Sequence, residues 1–492
     1  MQAIVHRTRS ECCESYPLVH AVRRSAPSLT RSTQSRLPTE LWLDIIYYLI
    51  VDDVRTLAST SRSLRSLLFP HIHSRVTINA LGNPHDISRS LAKAAYTHRH
   101  VRHIHFKHPT MDTRLRSSPA YPRAARTMEN VIPRLPQLYS VVLEQMVLTV
   151  DFRRALFASP SLRSLALHHV DVSPLRAEKA ASKITHLSIS NVVTRDTLHS
   201  LISDLSQSLE SIELGREVHS LLAKLYGGVF PKLTRLIVHP TEGGNPSLLC
   251  KLLIATPTLT TLSLPTTSVL PDIPSTALPV LSDLAGPAAS ISSLVKSRQI
   301  RKLRILDREK SPTPFGDIKA ILASCPDLER LELCNQFPDI STLCYRLEML
   351  SSFPCGATLV HLVVQVDVRA DDEIRTQEEP FGRAGSPKTI GALSRPFPLV
   401  DSSQFGPMWR GRASSFPRLR SLQVKIATLG RLSERYCRLW AQTNVIPLCH
   451  RLREIEYTAY RDGMYSTPPV DRIRYWRAVG GPWETSAREP NC

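Results

Sequence analysis

Five histidines crowd one short stretch of this chain: His98, His100, His103, His105 and His108. Imidazoles at that density suggest a metal centre, because neutral histidine nitrogens are common ligands for zinc and other divalent ions. The spacing argues against one. On a strand His103 and His105 point together while the others diverge, and no cysteine or carboxylate stands at ligand spacing beside them. The stretch from Gly382 to Thr389, with Gly385 and Lys388, echoes a phosphate-cradling loop. It misses the required spacing, and Pro387 breaks the helix start such a loop needs. The ten cysteines include no C-x-x-C pair, so neither a zinc framework nor a dithiol redox centre is indicated. There is no H-E-x-x-H helix, no G-x-S-x-G elbow and no usable Cys–His pairing. The acidic run Asp371-Asp372-Glu373, with Glu378 and Glu379, reads as a solvated loop. The chemistry expected here is binding rather than catalysis, with no cofactor and no metal.

Binding needs elements that hold the binding residues in place. At 492 residues the chain exceeds one ordinary core, which leaves two or three domains or one extended solenoid. Its apolar and charged fractions are close to globular averages, so most of it is expected to fold. The formal net charge of +19 favours acidic partners: a protein surface, nucleic acid or anionic lipid. Scattered arginines and an aromatic content of only 6% give no base-stacking platform, so the charge reads first as a solvated basic surface, which does not favour nucleic acid and suits a target protein of acidic character. No signal-peptide core and no membrane-length apolar run is present, so the expected setting is cytoplasmic and/or nuclear, reducing, and without membrane contact. Residues 1–35 carry Arg7, Arg9, Arg23, Arg24 and Arg31 beside Glu11 and Glu14, and read as a disordered basic arm.

Order is expected from Arg36. Leu37-Pro38-Thr39-Glu40-Leu41 opens a helix: Pro38 suits a first turn and Glu40 complements the dipole. Leu41, Ile45, Ile46 and Leu49 share one face at helical spacing. Asp52-Asp53 recaps the chain, and a second apolar series follows at Val54, Leu57, Ser61, Leu64 and Leu68, with Pro70 expected to end it. So small a unit buries little surface and leans on a partner. From Leu37 to Leu67 this stretch resembles an F-box, in Leu-Pro-x-Glu-Leu, Ile45, Leu49, Asp53, Val54, Leu57 and Ser61. It departs at Leu64, where family members often carry Trp. The resemblance implies a three-helix module over residues 36–75 that binds a Skp-type adaptor, itself bound to a cullin. The implied adaptor-binding residues are Leu37, Pro38, Leu41, Ile45, Ile46, Leu49, Val54 and Leu57.

The remainder repeats one phrase: Val101/Ile104/Phe106, Leu138/Val141/Leu143, Leu162/Leu165/Leu167, Ile184/Leu187/Ile189, Leu209/Ile212/Leu214, Leu233/Leu236/Val238 and Leu259/Leu262/Leu264. It returns at Ile300/Leu303/Ile305, Leu328/Leu331/Leu333, Leu359/Leu362/Val364, Leu419/Leu422/Val424 and Leu452/Ile455/Tyr457. Starts from Leu138 to Leu259 are 24, 22, 25, 24 and 26 residues apart. A proline two residues ahead of many copies, such as Pro136, Pro160 and Pro257, stops a helix and turns the chain into a strand. The L-x-x-L-x-L core and its period resemble a leucine-rich repeat. The expected fold is therefore α+β: a small three-helix F-box, then an irregular α/β leucine-rich-repeat solenoid over 76–460. Excursions are expected at 265–299 and 367–415, and a C-terminal cap or tail over 461–492. The regular asparagine ladder of such repeats is missing.

Alternate strand residues point away from the core. They place His186, Ser188, Thr261, Gln365, Gln423, Glu454 and Glu456 on an inner face, with Arg235, Arg304, Arg330, Glu332 and Lys425 as expected target-binding residues. The reading is a substrate adaptor of a cullin–RING ubiquitin ligase. Its rivals are a cullin-independent interaction scaffold and a basic nucleic-acid-binding repeat protein.

Overall fold

The computed structural model describes residues 38, 41–42, 45–46, 49, 51–79, 99–107, 120–173, 183–191, 195–215, 230–239, 246–264, 270–306, 315–337, 347, 349–367, 416–427, 449, 451–460, 471–476 and 483–485. The expected basic arm at 1–35, Leu37 and nearly all of the expected excursion at 367–415 lie outside them. The chain divides into two compact units, Met1–Leu68 and Phe69–Cys492. Among the described residues, no helix is long and apolar enough to cross a membrane.

The first unit is helical. Trp42 N–H donates to Pro38 C=O at 3.2 Å, so the first turn starts at the proline. Helical residues follow at Leu41–Trp42 and Ile45–Ile46, then helix α1 (Val51–Thr60) and helix α2 (Arg62–Ile72). Ser61 separates the last two because its hydroxyl caps α2, accepting from Leu64 N–H at 3.0 Å. Pro70 does not end that helix as expected: it lies inside α2. So near the C-terminus a proline forfeits a single backbone bond, and His73 N–H still reaches Phe69 C=O at 3.1 Å.

The second unit is built on a large, mostly parallel sheet. Its strands are β1 (Arg75–Asn79), β2 (His103–Lys107), β3 (Ser140–Glu144), β5 (Ser164–His168), β7 (His186–Ser190), β8 (Ser211–Leu214), β9 (Arg235–Val238) and β10 (Thr261–Ser263). The series continues with β11 (Asp283–Gly286), β12 (Lys302–Leu306), β13 (Arg330–Phe337), β14 (His361–Asp367), β15 (Ser421–Ala427) and β16 (Glu454–Tyr460). These strands pair in chain order and in parallel; β4 (Val147–Leu148) and β6 (Asp171–Val172) form a separate two-stranded pair. Finally β17 (Asp471–Trp476) and β18 (Glu484–Thr485) fold back antiparallel on β16.

Register explains the core. Ile104, Val141, Leu165, Leu187, Ile212, Leu236, Leu262, Leu284, Leu303, Leu331, Leu362, Leu422 and Ile455 stack in one unbroken row. Each is essentially inaccessible to solvent. Burying one such side chain is worth roughly 1.5–3 kcal/mol, so the row is the main cohesive feature of the unit. Helices α3 (Ala120–Val131), α4 (Val150–Ala158), α5 (Arg195–Leu205), α6 (Pro246–Ile254), α7 (Ala288–Val295) and α8 (Phe315–Ala323) lie between strands in the chain order. Their buried leucines and isoleucines join the same cluster.

Two devices tie successive repeats where an asparagine ladder is lacking. One carbonyl ahead of each strand accepts two N–H groups from the next repeat, as Arg163 C=O does from Thr185 and His186 at 2.8 and 2.9 Å. Hydroxyls then form a partial ladder of their own. Ser161, Ser208, Thr258 and Thr358 donate to the carbonyls of Leu138, Ile184, Leu233 and Leu328 at 2.7–3.0 Å.

The expected excursion at 265–299 is instead largely a repeat of its own, supplying β11 and α7. Its phrase is Leu281/Leu284/Gly286, with glycine where the third apolar residue normally stands. A Cβ on Gly286 would lie 3.0 Å from Leu264 Cβ and 3.1 Å from Ile291 Cγ2. The short helix packs so closely that a side chain there requires Leu264 or Ile291 to give by a few tenths of an ångström.

Candidate functional site

Two surfaces are candidates. In the first unit, Leu41 and Ile45 are one turn apart and 47% and 40% exposed. Pro38 is exposed beside them in the sequence, Leu49 and Leu57 are half-buried, and Ile46 and Val54 are buried at 6% and 5%. The expected adaptor-binding set therefore splits. Pro38, Leu41 and Ile45 present apolar surface outward, whereas Ile46 and Val54 hold the unit together. Large exposed apolar side chains at i, i+4 spacing are the usual mark of a docking face.

In the second unit, the sheet face opposite the buried leucine row is lined by alternate strand residues. From β2 to β8 these mix small or hydroxylated side chains, such as Ser140, Ala166 and Ser188, with histidines. Histidine–carboxylate pairs punctuate them: His105 Nε2 lies 2.9 Å from Glu144, and His239 Nε2 lies 2.7 Å from Glu213. The His239 hydrogen bond holds the Glu213 carboxyl below its ordinary range. His103 and His105 share a face, but Lys107 also holds Glu144, at 3.1 Å. Among the described residues, no group of three His, Cys, Asp or Glu side chains is arranged to hold a metal; His98 and His108 lie outside them.

The face changes character at β9. Arg235, Asp283, Lys302, Arg304, Arg330 and Glu332 line a depression of about 330 Å³. Its middle strands, β10 and β11, offer only short side chains there, Ser263 and Ala285, while β9 and β12–β13 raise longer ones on either side. Glu332 is 8% exposed, with Lys425 Nζ at 2.8 Å and Arg304 Nε at 3.4 Å. Burial works to raise its pKa, but the Lys425 hydrogen bond and the charges of Arg304, Lys425 and Arg330 outweigh that and hold it below the ordinary carboxylate range. Among the described residues, Arg235, Lys302 and Arg330 have no ion-pair partner, so the depression is net cationic.

The expected target-binding residues are thus placed unequally. Arg235, Arg304 and Arg330 line the depression. Glu332 lines it too, held in a largely buried ion pair with Lys425, which is not among the described lining residues. Alternation along one strand shows which face a residue takes; a partner 93 residues away is visible only once the three strands β13–β15 are in register. Asp283 was missed because strand β11 was unrecognised, and Lys302, the first residue of β12, because only Arg304 was taken from that strand. Nucleophilic chemistry finds no foothold in the described cysteines. Burial pushes the Cys449 thiol up to about 12 and Cys355 up to about 11, and burial beside Cys355 pushes Cys325 up to about 12.

No family model and no curated protein matches this chain. Among solved structures, a chain of the crystal structure of the Rad7 and Elc1 complex in yeast is similar over 66% of this chain and 86% of its own length, at 14% identity and a TM-score of 0.32.

Proposed function

We propose that this chain is a non-catalytic substrate adaptor of a cullin–RING ubiquitin ligase, its first unit docking a Skp-type adaptor and its repeat sheet holding an acidic target protein. The observation that carries the reading is the exposed Leu41–Ile45 pair, which starts at the last residue of a Leu-Pro-x-Glu-Leu motif that resembles an F-box. The net-cationic depression over β9–β13 supports the second half. The mechanism is proximity: a target held on one unit is brought within reach of a charged ubiquitin delivered through the other. Bond chemistry then belongs to other subunits.

The test is a pull-down of the full chain beside a Leu41→Asp, Ile45→Asp variant, probed for the Skp-type adaptor and cullin. Both substitutions fall on exposed positions, so the variant is expected to keep its circular dichroism and melting temperature. Losing two central apolar contacts is expected to weaken adaptor binding roughly 100-fold or more. Equal capture by both proteins, or capture by neither, overturns the reading; adaptor without cullin favours a ligase-independent scaffold. A second variant, Arg304→Glu with Arg330→Glu, is expected to keep the adaptor and lose the co-purifying target.

A further inference from the structure

The start of the repeat sheet holds a second pocket, separate from the depression over β9–β13. It measures about 200 Å³, several times the roughly 30 Å³ share of one water in the liquid. Arg75, Arg102, His71, His100 and His103 line it, with Ser74 and Gln137 adding neutral polar groups. Among the described residues lining it there is no carboxylate. Neither Arg75 nor Arg102 has an ion-pair partner among the described residues. The one acidic residue in β1–β3, Glu144, stands at the far end of β3 and is already held by His105 and Lys107.

The cationic groups sit on rigid backbone. Arg102 N–H and His103 N–H both donate to Ser74 C=O at 2.9 Å, and Arg75 is in register with His103 on the first rung of the sheet. His100 lies edge-on to Phe69 at 5.6 Å, and His103 edge-on to Tyr139 at 6.2 Å. Burial, together with the charges of Arg75 and Arg102, holds the His103 imidazole below its ordinary pKa, the response of a group in an unneutralised positive field. Two guanidiniums carried on rigid backbone, with imidazole and side-chain amide donors around one cavity, match a compact, multiply charged oxyanion. A single carboxylate would leave most of these donors unused.

We propose that this pocket binds a phosphate monoester, its dianionic group received by Arg75, Arg102 and His103. The site is independent of the adaptor role and of the depression over β9–β13.

The test is isothermal titration of the full chain with inorganic phosphate, against acetate at matched ionic strength. One saturable phosphate site per chain is expected, with acetate showing none. Arg75→Gln with Arg102→Gln, both at exposed positions, is expected to weaken it roughly 10- to 100-fold. Arg304→Gln with Arg330→Gln, which removes the same charge elsewhere, is expected to leave it unchanged. Absence of saturable phosphate binding, equal binding of acetate, or equal loss in both variants overturns the proposal. O-phosphoserine and a phosphoserine peptide then separate the sources. Equal affinity assigns the site to a free phosphate ester, and at least tenfold tighter peptide binding, lost in Arg75→Gln/Arg102→Gln, assigns it to a phosphorylated protein segment.

Discussion

Glu332 governs the charge of the depression over β9–β13. It is an acid surrounded by Arg304, Arg330 and Lys425, and it draws two of these cations onto itself. Because its carboxyl is held below the ordinary value of 4.5, the pair adds stability that is fully present above that value and is lost as pH falls through the lower folded-state value. Glu332→Gln is therefore expected to cost about 1–3 kcal/mol at pH 7, since Lys425 is left largely buried without its partner. The gap between wild type and variant should begin to narrow as pH drops below 4.5, where the carboxyl of the unfolded wild type protonates, and close as pH falls through the lower folded-state value. Thermal melts of both proteins at pH 7 and at pH 3.5 check this. A gap that persists undiminished at pH 3.5 would mean that Glu332 acts through packing rather than charge. Arg153 poses a similar problem on the helical side. It is fully buried, is paired with Asp204 on the next helix and lies over the Phe157 ring, yet its Nε and Nη1 find no acceptor. Such a pair costs desolvation as well as returning attraction, so replacing both partners by apolar residues is less harmful than removing one.

At the scale of the element, legibility followed apolar spacing. Every expected repeat from Val101/Ile104/Phe106 onward lies on a strand or directly before one, because L-x-x-L-x-L encodes both the strand's alternation and its approach. The β11–α7 unit escaped that reading for two reasons: its third apolar position is Gly286, and its phrase begins only 19 residues before Ile300. A residue normally read as solvated makes so short a unit workable. Arg298 is buried and donates to the carbonyls of Pro274, Ala277 and Leu294 at 2.8–3.1 Å, satisfying groups that a turn and a helix end would leave bare. Gly286→Val restores the usual apolar pattern and is nonetheless expected to destabilise. Added volume has to push Leu264 and Ile291 aside, and overpacking of this kind typically costs about 1–3 kcal/mol. A melting temperature equal to or above wild type would refute the close helix approach. In the first unit the apolar helix face was equally legible, but which of its residues stay outward was not. Exposure at Leu41 and burial at Ile46 depend on packing that periodicity alone cannot assign.

At the scale of the molecule, a sheet built by adding one strand per repeat has a weakness at its end. Each repeat contacts its neighbours, and the last one presents an unpaired strand edge that invites another chain. Here β17 closes that edge by running antiparallel along six residues of β16, from Glu454 opposite Trp476 to Ala459 opposite Asp471. The covering strand is also packed. Tyr475 and Ile473 are buried in the common core, with the Tyr475 ring edge-on to Tyr457 at 6.0 Å. Charge holds the outer side, where Arg474 pairs with Glu454 and lies in register with the largely buried Glu456. β18 then pairs with Tyr475 and Trp476 at the end of β17, and a strand of two residues is a poor template for further pairing. Ending the chain after Tyr460 is therefore expected to do more than lower stability. It uncovers six residues of β16, bares Tyr457 and leaves Glu454 and Glu456 without the facing arginine. Light scattering after size exclusion should show the full chain as a single species and the truncated one as concentration-dependent dimers and larger assemblies. A truncated chain that stays monomeric at high concentration, with an unchanged melting temperature, would show that β16 needs no cover and that β17 and β18 serve another purpose.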